Sequence, residues 1–164
     1  NYSTTDLAKP LSDVKIIKDN SLQNLKFNLL PNKNVEERLL FKKFIISHNK
    51  IEAYFDREYK TDMLKSPNHY IFLSALINLQ KMIYLLMCDK FNISYKIDNQ
   101  EKLKIWPTKI DVKMNGLIRK KKNLMQDFEI QNIQEIGAQK YHISGHSSSE
   151  STLEIQGEAI VYLI

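Results

Sequence analysis

A single apolar run, NHYIFLSALINLQKMIYLLMC from Asn68 to Cys88, constrains this chain more than any other feature. It predicts one long helix, apolar on nearly every face, with Ser74, Asn78, Gln80 and Lys81 as its strongly polar interior residues. A helix apolar all round has no face to give to water, so other elements must enclose it. Its length approaches that of a membrane span, but Asn78, Gln80 and Lys81 would be costly at a bilayer centre, and no span is expected. The flanking segments alternate apolar and polar at strand period. The expected fold class is therefore α+β, a curved antiparallel sheet wrapped around one central helix.

The order along the chain supports this. Residues 1–34 are dominated by Ser, Thr, Asn and Lys, with a short apolar patch at Val14, Ile16 and Ile17, and read as an arm that packs loosely or pairs as an extra strand. The domain proper is expected over 35–164. RLLFKKFIIS (Arg38 to Ser47) and KIEAYFDRE (Lys50 to Glu58) form a hairpin signal around His48-Asn49. Tyr59 to Pro67 reads as a polar connection, with Ser66-Pro67-Asn68 as a helix start. After the helix, Asp89 to Pro107 reads as a loop with a strand-like patch at Ile93 to Ile97. Four β-runs follow: Lys109 to Met114, Leu124 to Ile130, Lys140 to Gly145, and a last strand placing Leu153, Ile155, Ala159, Val161 and Leu163 on one face. Gly157 reads as a bend in that strand, and His146 to Ser151 as a polar loop.

Composition narrows the chemistry. At 164 residues the chain can bury a good core as one domain with an extension. Four glycines and no GxGxxG or Walker pattern argue against a phosphate-binding loop. One cysteine, Cys88, excludes a disulfide framework and a Cys-based zinc site. His142 and His146 would stand roughly 13 Å apart on a strand, too far to share a metal, so no metal and no cofactor is expected. The segment NYSTTDLAKP does not resemble a signal peptide, and a cytoplasmic setting is expected. The net charge of +5 concentrates at Arg119, Lys120, Lys121 and Lys122. That run is either a solvated hairpin tip or a contact for phosphate or acidic surface: nucleic acid, coenzyme A or an acidic carrier protein. No helix-turn-helix or RNP-type pattern accompanies it, which disfavours nucleic acid.

Strand, strand, helix, four strands is the order of a hotdog fold, and FKKFIISHNKIEAYFDREYKTDMLKSPNHYIFLSALINLQ (Phe41 to Gln80) carries the resemblance. It is similar in layout to β-hydroxyacyl-thioester dehydratases and hotdog thioesterases. Leu73-Ser74-Ala75-Leu76-Ile77-Asn78 stands where the dehydratases have a Leu-Glu-Ala-Leu-Ala-Gln segment. The chain also resembles FcoT-like fatty acyl-CoA thioesterases through His69-Tyr70 at the helix start, Tyr84 further on, Gln80 near their Asn, and Gly157-Glu158 in the last strand. Two departures stand out. Ser74 occupies the place of the dehydratase acid, and Met63 and Ile71 stand nearest the FcoT-like loop tyrosine and asparagine, with Tyr59 or Asp62 as neighbours.

What the resemblance implies is an acyl-thioester hydrolase acting on fatty or polyketide acyl-CoA or acyl-carrier-protein substrates, as a homodimer or larger assembly. Asp62 or His69 would activate water. Gln80, or the backbone amides around Asn68 to Ile71, would hold the oxyanion. Tyr59, Tyr70, Ser74, Asn78 and Tyr84 would contact substrate. Arg119, Lys120 and Lys121, or Lys65 near the helix mouth, would hold phosphopantetheine or the carrier. Each residue also has a structural reading: Asp62 as a solvated loop acid, His69 as a plain helix-start histidine, the buried amides as satisfied core groups. The alternatives are a dehydratase-like or acyl-transferring enzyme, including the A-factor-synthase type, and a catalytically silent acyl-binding or assembly protein.

Overall fold

A computed structural model describes residues 14–18, 24–30, 34–63, 68–94 and 102–164. The chain forms β1 (Val14–Ile17), β2 (Leu25–Asn28), β3 (Val35–Ser47), β4 (Lys50–Thr61), α1 (Phe72–Lys90), β5 (Leu103–Met114), β6 (Leu124–Gly137), β7 (Lys140–Ser149) and β8 (Leu153–Leu163). All pairings are antiparallel, in the order β1-β3-β4-β6-β7-β8-β5, with β2 also on β3. The chain leaves β4 through α1, crosses to the far edge as β5, then returns as β6 beside β4. That crossover lays the helix over the sheet's inner face. This is the hotdog architecture.

Alternation explains the layering. Leu39, Phe44, Ile46, Ile51, Ala53, Phe55, Leu124, Phe128, Ile130, Ile143, Leu153, Ile155 and Val161 are buried on the inner face, and Ala75, Met82, Leu85, Leu86 and Met87 of α1 meet them. Register shifts at Phe41/Lys43, Pro107/Lys109, Ile130/Asn132 and Glu135/Gly137 bend the strands around the helix. Two short strands from the 1–34 arm cover successive stretches of the outer edge of β3. At the other end of the sheet, β5 pairs with β8 and, among the described residues, with nothing else.

Several boundaries differ from expectation. The helix starts at Phe72, not Asn68, and runs to Lys90. Asn92 takes the left-handed conformation (φ 56°) and Ile93 N–H reaches Cys88 O at 2.8 Å, a Schellman stop that uses asparagine where glycine is usual. β4 continues through Thr61 into the expected connection, and β5 begins at Leu103 inside the expected loop. Ile93 and Ser94 are not in a strand; Tyr95 to Ile97, Lys65, and Ser66-Pro67 lie outside the described residues. The expected loop from His146 joins β7 as far as Ser149, because Ser147 and Ser149 continue the buried phase of Tyr141, Ile143 and Gly145. β8 carries Gly157 within its paired length, and the irregularity falls on its partner at Pro107/Lys109.

The helix is not enclosed on every side. Phe72 and Leu73 stand 47% and 36% exposed, and Gln80 is exposed, whereas Leu86 and Met87 are fully covered. Lys81 is half-buried and lays its stem along the protein with its ammonium 5.5 Å from the Phe41 ring. The helix is long and apolar enough to cross a membrane by length and composition, yet 61% of its apolar stretch is buried inside the protein. Truncating a covered helix residue, Leu86→Ala, is expected to cost about 2–5 kcal/mol in urea unfolding, and Phe72→Ala far less.

Candidate active site at the helix mouth

Polar residues placed in the apolar phase of four strands build the site. In β3, Glu37 lies between Val35 and Leu39; in β4, Arg57 follows Ile51, Ala53 and Phe55. Both side chains are fully buried and pair through Arg57 Nε to Glu37 Oε1 at 2.9 Å and Nη2 to Oε2 at 3.2 Å. The third arm, Nη1, donates to Asn68 O at 2.9 Å, and the guanidinium lies 5.8 Å from the Tyr70 ring centre. Burial raises the Glu37 pKa, opposed by Arg57, Ser74 and Lys121. Two backbone bonds also hold the mouth: Arg57 N–H of β4 donates to Lys121 O at 2.9 Å, and Tyr70 N–H, ahead of the helix, to Ile118 O at 2.8 Å.

A second buried cluster centres on Gln126, in phase with Leu124, Phe128 and Ile130. Its Oε1 accepts from Tyr70 Oη at 2.8 Å and Asn78 Nδ2 at 3.1 Å, and its Nε2 donates to Ala75 O at 3.0 Å and Ser147 Oγ at 3.1 Å. One amide thus fixes helix, helix approach, β6 and β7 together. Burial drives the Tyr70 phenol far above its ordinary pKa, so it stays a donor. Asn78 Oδ1, fully enclosed, accepts from none of the described groups. Neither Glu37–Arg57 nor Gln126–Ser147 was singled out from the sequence. The available signal was a polar residue falling in the buried phase of an alternating strand.

The expected residues separate into groups. His69 stands half-buried just before the helix, and its pKa is lowered by burial first, then by the charges of Arg57 and Arg119. It is therefore neutral near neutral pH. Tyr70, Ser74 and Asn78 are wholly buried in the polar layer, Ser74 toward Glu37. Tyr59 is half-buried and directly across the ladder from Glu37. Asp62 is exposed, takes a hydrogen bond from Asn34 Nδ2 at 3.1 Å, and lines a shallow polar hollow with Asn28, Glu36 and Lys60. Tyr84 interacts with Cys88, whose pKa burial raises. Gln80 instead lines an apolar cavity.

That cavity, about 250 Å³, lies between α1 and strands β5 to β8. Leu73, Leu76, Ile77 and Ile83 form the helix side, and Phe128, Ile155 and Ala159 part of the floor. Its polar lining residues are Gln80, Lys109 and Glu158, of which Lys109 pairs with Asp111 at 3.9 Å and Glu158 with His142 at 3.2 Å. At the near end the N-cap Ile71 supplies no side-chain cap and the first turn has no acidic residue. The first amides of the helix, at Phe72 to Ser74, keep their donors and the positive end of the dipole. The amide of Tyr70, expected among the oxyanion donors, is taken by Ile118 O.

The basic run divides in two. Lys120 and Lys122 pair with Glu150 at 3.6 Å and Asp56 at 3.5 Å. Arg119 and Lys121 are exposed, and their charges act on His69 and Glu37. Among the described residues no cluster of His, Cys, Asp and Glu is placed to hold a metal ion. Removing one partner of the buried pair, Arg57→Met, leaves Glu37 stranded and is expected to cost about 3–5 kcal/mol by urea unfolding. The double variant Glu37→Leu/Arg57→Met should recover most of that loss.

No protein-family model matches the chain, and no curated protein matches it. Among solved structures it is similar to a mutant thioesterase from Pseudomonas aeruginosa, at 6% identity over 77% of this chain and 82% of that one, TM-score 0.46. It is similar to a thioesterase from Haemophilus influenzae at 8% identity over 72% and 75%, TM-score 0.44. It is also similar to a putative thioesterase from Lactococcus lactis at 7% identity over 90% and 93%, TM-score 0.43.

Proposed function

We propose that the protein hydrolyses an acyl thioester, binding the acyl chain in the cavity beneath α1 and the thioester carbonyl at the helix N-terminus. The observation that carries this reading is an apolar cavity that reaches the first helical turn at Leu73, where the N-cap supplies no side-chain cap, with His69 three residues before the helix and its pKa lowered. An apolar chain suits the cavity walls, and a developing oxyanion suits the free amides of Phe72 to Ser74. Water attacks the carbonyl carbon while His69 takes its proton. As the tetrahedral intermediate collapses, the C–S bond breaks and the imidazolium returns that proton to the departing thiolate, giving acid and thiol. Gln80 lies two turns along, roughly 12 Å from the helix start, and so addresses the chain side of the ligand.

Arg119 and Lys121, the unspent half of the basic run, are proposed to meet the phosphates of coenzyme A or the acidic surface of a carrier protein. The open edge supports a proposal about assembly. Ile110, Val112 and Met114, on the inner side of β5, are 45%, 41% and 38% exposed, and Phe72 and Leu73 stand out on the helix. We propose that a second copy covers them, pairing along β5. A second reading, acyl binding without turnover, is favoured by one observation. Ser74 stands where the resemblance places an acid, and Glu158, the carboxylate residue of the cavity lining, is already paired with His142.

Free-thiol release from acyl-CoA and acyl-carrier thioesters separates the two readings. Hydrolysis predicts release that falls at least about 100-fold in His69→Ala, the usual worth of a general base. Binding without release would establish the second reading. The acid limb of kcat/KM should lie below the ordinary histidine value of 6.5, because burial and two cations oppose protonation of His69. Arg119→Gln removes one of those cations, so the limb should move to higher pH. In sedimentation, Val112→Lys should convert the assembly to monomer without unfolding it.

A further inference from the structure

The inner face of the sheet carries a bare patch below the helix, and its shape bears on which acyl chain fits. Crossing the sheet from its open edge, the cavity floor passes from Ile105, Pro107 and Ile110 of β5 to Gly157 of β8, Gly145 of β7 and Phe128 of β6. Gly145 and Gly157 are direct partners in the ladder. Neither has a positive φ; among the described glycines only Gly116 does. A glycine inside a strand weakens it, so two in register are there for space and not for backbone conformation.

The two spaces are used differently. A Cβ on Gly145 would come 2.4 Å from Phe128 Cε1 and Cζ and 2.7 Å from Glu129 O. The Phe128 ring therefore lies down on Gly145, with 4% of the residue exposed, and closes the cavity at the β6 side. A Cβ on Gly157 would meet Lys109 O at 3.1 Å as its sole neighbour within 4 Å. Toward the helix that position opens into the cavity. The span from the β5 edge to the Phe128 wall is three strand spacings, about 14 Å.

We infer that Phe128, seated on Gly145, is the end wall that sets acyl-chain length, and that Gly157 keeps the passage to it open. The inference rests on the acyl-binding reading above and adds the residues that select the chain. It concerns chain fit and not chemistry, so it holds for hydrolysis and for silent binding alike.

S-alkyl coenzyme A thioethers, which have no scissile acyl bond, test it by calorimetry across chain lengths from butyl to hexadecyl. Wild-type affinity should rise about fourfold per methylene, the ~0.8 kcal/mol of a buried CH₂, until the chain meets the wall, and then level off. Phe128→Leu should move that break to longer chains and Gly157→Ala to shorter ones, each checked for folding by circular dichroism. An unchanged break in either folded variant would overturn the inference. Affinity independent of chain length in the wild type would overturn the acyl-binding reading itself, and the inference with it.

Discussion

Arg57 ties four parts of this molecule together through one side chain and its backbone. A guanidinium and a carboxylate removed from water must satisfy one another, and Arg57 does so with Glu37 through two parallel bonds. The arm left over takes the Asn68 carbonyl, and the backbone amide of the same residue takes Lys121 O. β3, β4, the approach to the helix and the basic segment are thereby fixed to one point. His69 and Arg119 flank that point, so the chemistry proposed for the mouth would inherit its geometry and its positive potential. Burying apolar residues instead would hold strands together without fixing where the helix begins.

The helix serves two different neighbours, which accounts for its apolar character all round. Toward β4 and β6 it buries Ala75, Met82, Leu86 and Met87 against the core, and Gln126 locks its rotation through Ala75 O and Asn78. On its other side Leu73, Leu76, Ile77 and Gln80 line a cavity and an open sheet edge. The first half is settled within one chain. On the function and assembly proposed above, the second is completed by a ligand and by another copy.

Much of the architecture was legible because the hydrophobic period changes cleanly from alternating to helical and back. The hairpin at His48-Asn49 and the four strands after the helix follow from that change. Boundaries were missed where a polar residue continued a buried phase, as Ser147 and Ser149 do in β7, or where capping chemistry overrode apolar content, as at Asn92. The site was less legible. Glu37, Arg57 and Gln126 look like solvent-facing residues of their types until the strand phase is followed through them. Asp62, chosen as the acid before the helix, instead lies with Asn34 in a separate polar hollow. The resemblance pointed to His69 and to amides at Asn68 to Ile71, whereas the helix opens at Phe72; partners 20 to 56 residues away in sequence, such as Glu37 to Arg57 and Tyr70 to Gln126, set the polar layer.

On the proposed function, the deciding feature is where a thioester carbonyl sits. The direct measurement is a crystal structure with a carba-analogue of an acyl-CoA, in which CH₂ replaces sulfur and the carbonyl is retained. The prediction is a carbonyl oxygen about 2.7–3.1 Å from an amide of Phe72 to Ser74, with the chain running past Gly157 toward Phe128. A chain outside the cavity, or a carbonyl remote from the helix start and His69, would contradict the account.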